Sequence, residues 1–282
     1  MFLVRKRITI ITVAFNSTPV LMRMLRSVPA GTPVIIIDNS PQNDPVLRDL
    51  ALQHGAQLVR NPRNLGFGVA CNQGAALART EFLLFLNPDA ILDPGALDAL
   101  VAAAGRYPQA AAMNPRISNA DGSASFKRRS TLLPRSRWLP RGQPTADTEV
   151  PVLSGAAIFV RKAQFDAIGG FDARIFLYHE DDDLSLRLAA LGPLMFIHDA
   201  HVIHQSGHSS GRSPAVAAFK GWHMGQSAVY AARKHKLPFG RTKALARGVL
   251  PLLSPAMLSR RKRAKHLGLL RGTINAILHP QE

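Results

Sequence analysis

Cysteine is nearly missing. Cys71 is the single one in 282 residues, which excludes an intrachain disulfide framework, leaves no cysteine set for a structural zinc site, and fits a reducing cytoplasm. Acidic side chains are also scarce, 18 against 35 Lys and Arg, for a formal net charge of +17. That imbalance says nothing of fold. It draws polyanions: phosphate-bearing substrates, anionic lipid surfaces or nucleic acid. No stretch approaches the ~20 apolar residues of a spanning helix. Arg5, Lys6 and Arg7 precede an apolar run at 8–15, but the run is short, lacks a small-residue cleavage site and stops at Asn16, Ser17 and Pro19. It is expected to be a buried strand, not a signal peptide. Internal repeats are absent as well. With 46% hydrophobic residues, what is left is a soluble or peripheral globular chain, expected in the cytoplasm or at the inner face of its membrane.

The first hundred residues alternate strand and helix signals. Runs at 8–15, 34–37, 57–59 and 81–86 read as strands, the β-branched ones covered on both faces. Helices are expected at 20–28 after Pro19, from Asp44-Pro45 to near Gly55, at 67–78, and from a cap at Asp93 to Gly105. The alternation predicts an α/β fold with a mostly parallel sheet and helices on both faces. Such sheets bind ligands beyond the carboxyl ends of their strands, where Asp38, Asn87 and Asp89 lie. Next come a strand at 110–117, a turn at 119–123, and a Pro-, Arg-, Ser- and Thr-rich segment at 127–150 with the character of a mobile loop or lid. A strand at 152–160, a short helix closed by Gly169-Gly170, a helix from near Leu184 to Gly192 and a strand at 195–203 complete the pattern. These signals divide the chain into a catalytic domain at 1–212, with a nucleotide-binding half to about 118 and an acceptor half after it, and a helical basic extension at 213–282.

Four clusters carry chemistry. Glu180-Asp181-Asp182-Asp183 stand at a helix start, where the positive end of the helix favours ionised carboxylates able to take a proton; the same residues serve equally as solvated caps. Asn87-Pro88-Asp89 leaves an apolar strand, as a turn or as a carboxylate for a divalent cation that bridges phosphates. His201, His204 and His208 follow a strand, and one imidazole could complete a metal site with Asp89. Asn64-Leu65-Gly66-Phe67-Gly68, with Asn72, forms a glycine turn into a helix whose N–H groups could face a diphosphate; it is neither a dinucleotide fingerprint nor a Walker loop.

Read together and in order, these words resemble the family-2 inverting glycosyltransferases of the GT-A fold, the rhamnosyltransferase-like subgroup in particular. The matching words are residues 12–16, Ile37-Asp38-Asn39-Ser40, the Asn64–Gly68 turn with Asn72, Leu86-Asn87-Pro88-Asp89, Gly155-Ala156-Ala157, Gly169-Gly170-Phe171-Asp172, residues 176–187 and Val202-Ile203-His204. The likeness runs from about Ile8 to Ser210. It implies that Ala14, Asn16, Asp38 and Asn39 hold the nucleotide, Asp38 at the pyrimidine. Asn64, Gly66, Gly68, Asn72, Asn87 and Asp89 would complete the donor site. Asn87 replaces the first carboxylate of the family's Asp-x-Asp motif, so Asp89 and His204 are the implied ligands of Mg²⁺ or Mn²⁺. Asp181 matches the catalytic base, with Glu180 and Asp183 as second choices. The implied donor is a dTDP- or UDP-linked sugar, dTDP-rhamnose favoured, and the acceptor a glycan or lipid-linked hydroxyl in surface polysaccharide or glycolipid synthesis.

Two other readings compete. A non-catalytic sugar-nucleotide-binding scaffold would keep the fold without transfer. A nucleotidyltransferase needs a glycine-rich loop with a basic residue after the first strand, where this chain has Asn16-Ser17-Thr18-Pro19. The tail sets Arg260, Arg261, Lys262, Arg263, Lys265 and Arg271 among Leu267, Leu269, Leu270, Ile274 and Ile277, the pattern of a basic amphipathic helix on an anionic membrane or of a helix packed on its own domain. Lys127, Arg128, Arg129, Arg135, Arg137 and Arg141 could meet the same surface or an acidic acceptor. No nucleic-acid recognition motif accompanies the charge.

Overall fold

The computed structural model describes residues 6–205 and 213–280; His208 lies outside the described residues. The sheet has nine strands: β1 (Ile8–Ala14), β2 (Val34–Asp38), β3 (Gln57–Arg60), β4 (Phe82–Leu86), β5 (Ala90–Leu92), β6 (Ala112–Asn119), β7 (Thr148–Glu149), β8 (Ala157–Arg161) and β9 (Leu194–His204). Their order is β3-β2-β1-β4-β8-β6-β9-β5, with β7 added to β9. The parallel arrangement expected from the sequence holds across β3-β2-β1-β4. Beyond β4 the sheet is mixed, because β8 joins β4 and β6 antiparallel while β6 and β9 run parallel.

Alternation along the buried strands divides the core. Ile8, Ile10 and Ala14 of β1 face one layer with α1 (Thr18–Ser27), α2 (Pro45–Gln53) and α4 (Ala96–Arg106). Ile11 and Val13 face the other, with α3 (Phe67–Leu77), α5 (Lys162–Ala167) and α6 (Glu180–Leu188). Helices therefore cover both faces, and α2 begins where Asp44 accepts a bond from the Val46 N–H at 3.0 Å.

Three boundaries differ from the sequence reading. Asp93 does not cap α4: Gly95 does, in the left-handed region at φ 83°. Asp93 instead pairs with the His201 ring. Residues 152–156 stay outside β8 as a loop. The acidic run does not precede α6 but forms its first turn, because Tyr178 and His179, both at φ 67°, turn the chain sharply before it.

The C-terminal part comprises α7 (Pro214–Lys234), α8 (Gly240–Val249) and α9 (Arg260–Leu278). Glycines let α7 and α9 touch backbone to backbone. A Cβ at Gly221 would lie 2.2 Å from the Lys265 carbonyl oxygen, and one at Gly272 2.1 Å from that of Trp222. Much of the apolar side of α9 is thus partnered by α7. In turn α7 is bolted to the sheet domain: Tyr230 Oη and Lys234 Nζ each reach Asp172 Oδ2 at 2.7 Å, and Ser227 Oγ donates to the Leu177 carbonyl at 2.9 Å. Among the described residues no helix is long and apolar enough to cross a membrane.

Candidate active site

The exits of β1 and β2 are laced together. Asn39 N–H donates to the Ala14 carbonyl at 2.8 Å, and Asn16 N–H to Ser40 Oγ at 2.9 Å, with Asn16 itself at φ 51°. Asp38 is buried; its Oδ1 accepts the Ser40 N–H at 2.9 Å and its Oδ2 faces Arg60 at 3.4 Å. Next to it a ring of amides forms: Asn39 donates to Asn64 Oδ1 (3.2 Å) and the Gly66 carbonyl (3.1 Å), and Asn61 donates to Asn39 (2.7 Å) and Gln73 (2.8 Å). Arg60, Asn61 and Gln73 escaped the sequence reading. The first two sit where a short strand ends, a signal available to it; Gln73 had none.

The glycine turn is a joint. Gly66 N–H is taken by Asn64 Oδ1 (2.9 Å) and Phe67 N–H by the Phe176 carbonyl (3.1 Å), so neither is open to a diphosphate. Gly66 must be small: at φ +88° its Cβ would stand 2.6 Å from the Phe176 carbonyl oxygen. Gly68 packs likewise on Phe171, 2.9 Å from an added Cβ. Asn72 spends its amide on the same segment, donating to the Phe171 carbonyl and accepting the Phe171 N–H, both at 2.8 Å.

Beyond β4, Asn87, Asp89 and His204 converge, because β5 turns straight back onto β9 and pairs Ala90 with His204. Asp89, its side chain 1% exposed, sets Oδ1 3.1 Å from His204 Nε2. Asn87 Nδ2 lies 3.3 Å from the same nitrogen. One ring nitrogen thus faces an acceptor and an amide donor together, and it cannot donate to the first while accepting from the second. A cation between Asp89 and Nε2 would take a lone pair from each, with Asn87 turning its carbonyl oxygen toward it. No cluster of three or more His, Cys, Asp or Glu suited to a metal occurs among the described residues, so phosphate and water would supply the remaining ligands, as is usual for Mg²⁺.

The first turn of α6 holds four carboxylates with four different sets of neighbours. Glu180 is pushed up to about 8 by burial and then by Asp181, and its Oε2 has no hydrogen-bond partner among the described residues. Asp181 Oδ1 accepts the Asp182 N–H at 2.9 Å; Oδ2 accepts from Lys127 Nζ at 2.6 Å and from the Gly155 N–H at 2.9 Å. Burial works to raise Asp182, but His179 and Lys127 outweigh it and hold the carboxyl well below the usual range. Asp183 is fully buried and bound by Arg187 (2.7 Å), Lys234 (2.7 Å) and the His235 ring (2.8 Å); burial works to raise it, but the bonds from His235 and Lys234 and the charges of Arg187 and Lys234 lower it. Asp183 therefore ties α6 to α7 and has no free oxygen for an acceptor.

One dipeptide joins the two halves of the site. Gly155 N–H binds Asp181, and the adjoining Ala156 carbonyl accepts the Asn87 N–H at 2.9 Å. The proposed base and the Asn87–Asp89 motif are thereby fixed to the two sides of one loop. Residues 9–169 match the sequence profile of Glycosyl transferase family 2. The chain belongs to that family. It is a rhamnosyltransferase-like glycosyltransferase, 31% identical across 93% of its length to the Mycobacterium tuberculosis N-acetylglucosaminyl-diphospho-decaprenol L-rhamnosyltransferase, of which it covers 97%. It is 37% identical over 100 residues to Escherichia coli rhamnosyltransferase WbbL, covering 35% of this chain and 37% of that one. Its fold matches that of GalNAc-T7 solved with UDP, GalNAc and Mn²⁺, at a TM-score of 0.62 and 18% identity over 92% of this chain and 54% of that one. It also matches the Pyrobaculum calidifontis mannosyltransferase PcManGT solved with GDP-Man and Mn²⁺, at 0.57 and 14% identity over 98% and 88%. The fold of this glycosyltransferase is thus GT-A. The structure draws Asn87, Asp89 and His204 into one group and Asp38, Asn39, Asn64 and Gly66 into another, while Asn72, Gly68 and Asp183 act as structural ties.

Proposed function

We propose that this enzyme transfers a sugar, favoured as rhamnose from dTDP-rhamnose, with inversion onto a hydroxyl of a lipid-linked diphosphate glycan at the inner face of the cytoplasmic membrane. Support for donor and acceptor comes from the mycobacterial relative's activity and near full-length match. The observation that supports the chemistry is the Gly155-Ala156 bridge, which bonds the Asp181 carboxylate on one side and the Asn87 backbone on the other. Asp38 and the Asn39-Asn64-Gly66 network form the nucleotide end, and UDP-linked donors fit the same groups. Asp89 and His204 would hold Mg²⁺ or Mn²⁺, which when bound neutralises charge on the departing diphosphate. Asp181 takes the proton of the attacking hydroxyl from the opposite face of the sugar.

A panel of nucleotide sugars with a polyprenyl-diphosphate GlcNAc acceptor tests this reading. Transfer from dTDP-rhamnose is expected, lost with EDTA, and lowered about 10²–10⁴-fold in Asp181→Asn while nucleotide binding persists. Full activity in Asp181→Asn would defeat the base assignment, and binding without transfer by wild type would mark a scaffold.

A further inference from the structure

Lys127 was read from the sequence as one of six basic residues in a lid. In the structure it sits against the first turn of α6. Its ammonium bridges Asp181 Oδ2 at 2.6 Å and Asp182 Oδ1 at 2.9 Å. The backbone that carries it is anchored: the neighbouring Phe126 ring meets Phe196 edge-on at 5.5 Å, and Arg128 exchanges bonds with Leu139, side chain to carbonyl at 2.8 Å and carbonyl to N–H at 3.0 Å. This lysine is held in place at the start of the segment rather than carried on a swinging tip.

A carboxylate offers about four lone-pair sites. Lys127 and Gly155 fill Oδ2 of Asp181, and the Asp182 N–H fills half of Oδ1. Among the described residues nothing fills the remaining site on Oδ1. Resting on the transferase reading, we propose that Lys127 is a positioning residue: it clamps the Asp181 carboxylate onto the Gly155 amide so that the open lone pair of Oδ1 receives the acceptor's proton. In that step the acceptor O–H bond breaks and its proton passes to Oδ1. The oxygen bonds to the anomeric carbon, and the bond to the diphosphate oxygen breaks with its electron pair leaving on the diphosphate. Lys127 keeps Asp182 as its counter-ion throughout, so protonating Asp181 does not strand a buried ammonium.

The charged and titratable groups around this clamp are Glu180 and Asp182 on α6, His179 at its N-cap, Lys127 from the segment after β6, and Tyr178 and Cys71 beside Glu180. Removing the lysine leaves adjacent carboxylates facing each other with less positive charge. They then hold protons more tightly, and activity is lost at a higher pH than in wild type.

The test compares Lys127→Met with Lys127→Arg. In Lys127→Met, kcat is expected to fall at least tenfold with little change in donor KM, and the acid limb of kcat/KM moves at least one pH unit upward. Lys127→Arg, which keeps the charge, leaves that limb in place. Hydrogen exchange of the Gly155 amide, read independently of activity, should quicken at least tenfold in Lys127→Met. An unmoved acid limb or an unchanged Gly155 amide in Lys127→Met overturns the clamp, as does a limb shifted equally in Lys127→Arg. If Lys127→Met does not fold, the arginine variant decides, by its limb and by its Gly155 amide. A wild type without transfer from any donor defeats the transferase reading alone, because the Gly155 amide still reports on the clamp.

Discussion

At the scale of single residues, neighbours in sequence do different work because their surroundings differ. Asp89 and His204 set a hard oxygen and an imidazole nitrogen 3.1 Å apart, a pair suited to share a cation. Asp89→Ala should therefore cost two or more orders of magnitude in metal-dependent transfer, and His204→Ala should weaken the metal's apparent affinity by about 10–100-fold, read by titrating Mn²⁺ against rate. Glu180 makes a separate prediction about stability. Its folded value, pushed up to about 8, lies above the unfolded carboxyl near 4.3, so its contribution is full at low pH and drains as pH rises through about 8. The melting advantage of Glu180→Gln over wild type should grow from pH 5 to pH 8 and level off above it. A difference flat across that range would show that Glu180 is ionised in the folded protein. None of this was legible in the run Glu180-Asp181-Asp182-Asp183 itself. Sequence named the cluster and its helix, but the division of labour comes from Lys127, His235 and Lys234, which approach from more than 50 residues away.

At the scale of elements, the local signals were sufficient where an element is built from its own residues. The buried strands β1, β2 and β4 and the Asp44 cap of α2 follow from composition and position. Short elements that exist by pairing were hidden. The three residues of β5 are a strand because β9 lies beside them, and that pairing brings His204 to Asp89. Asp93 looked like a cap by its position, yet a left-handed Gly95 and the ring of His201 took over. The α7–α9 pair was also hidden, since its glycines matter only to a helix far along the chain. Adding a side chain there forces the backbones apart, and overpacking of this kind costs about 1–3 kcal/mol or more. Gly272→Val should loosen α7 and α9, seen as faster amide exchange in both, while β1 and β4 stay protected. Uniform loss of protection across the sheet would mean that the helical pair and the catalytic layer fold as one unit.

At the scale of the whole molecule, the net charge of +17 meets exposed apolar side chains at several places, one of them next to a run of cations. Much of the apolar face of α9 is covered by α7, with Ile274 and Leu278 left exposed. A denser patch lies on the connection between α8 and α9, where Leu250, Leu253 and Leu258 are 65%, 83% and 87% accessible. Directly after them α9 opens with Arg260, Arg261, Lys262 and Arg263 and has no acidic residue in its first turn. Four cations at the positive end of a helix oppose its dipole, each by about 0.3–1 kcal/mol, a cost that an anionic surface would reverse at about 1 kcal/mol per basic residue. The proposed membrane contact thus belongs to this apolar connection and its basic collar. Flotation with vesicles containing phosphatidylglycerol should recover wild type at low salt. The triple variant Leu250→Ser, Leu253→Ser, Leu258→Ser should bind at least tenfold more weakly while keeping its activity on a soluble acceptor. Equal flotation of both proteins would leave charge alone to hold the surface, and added salt would then release them together; if neither floats even at low salt, the membrane contact is excluded.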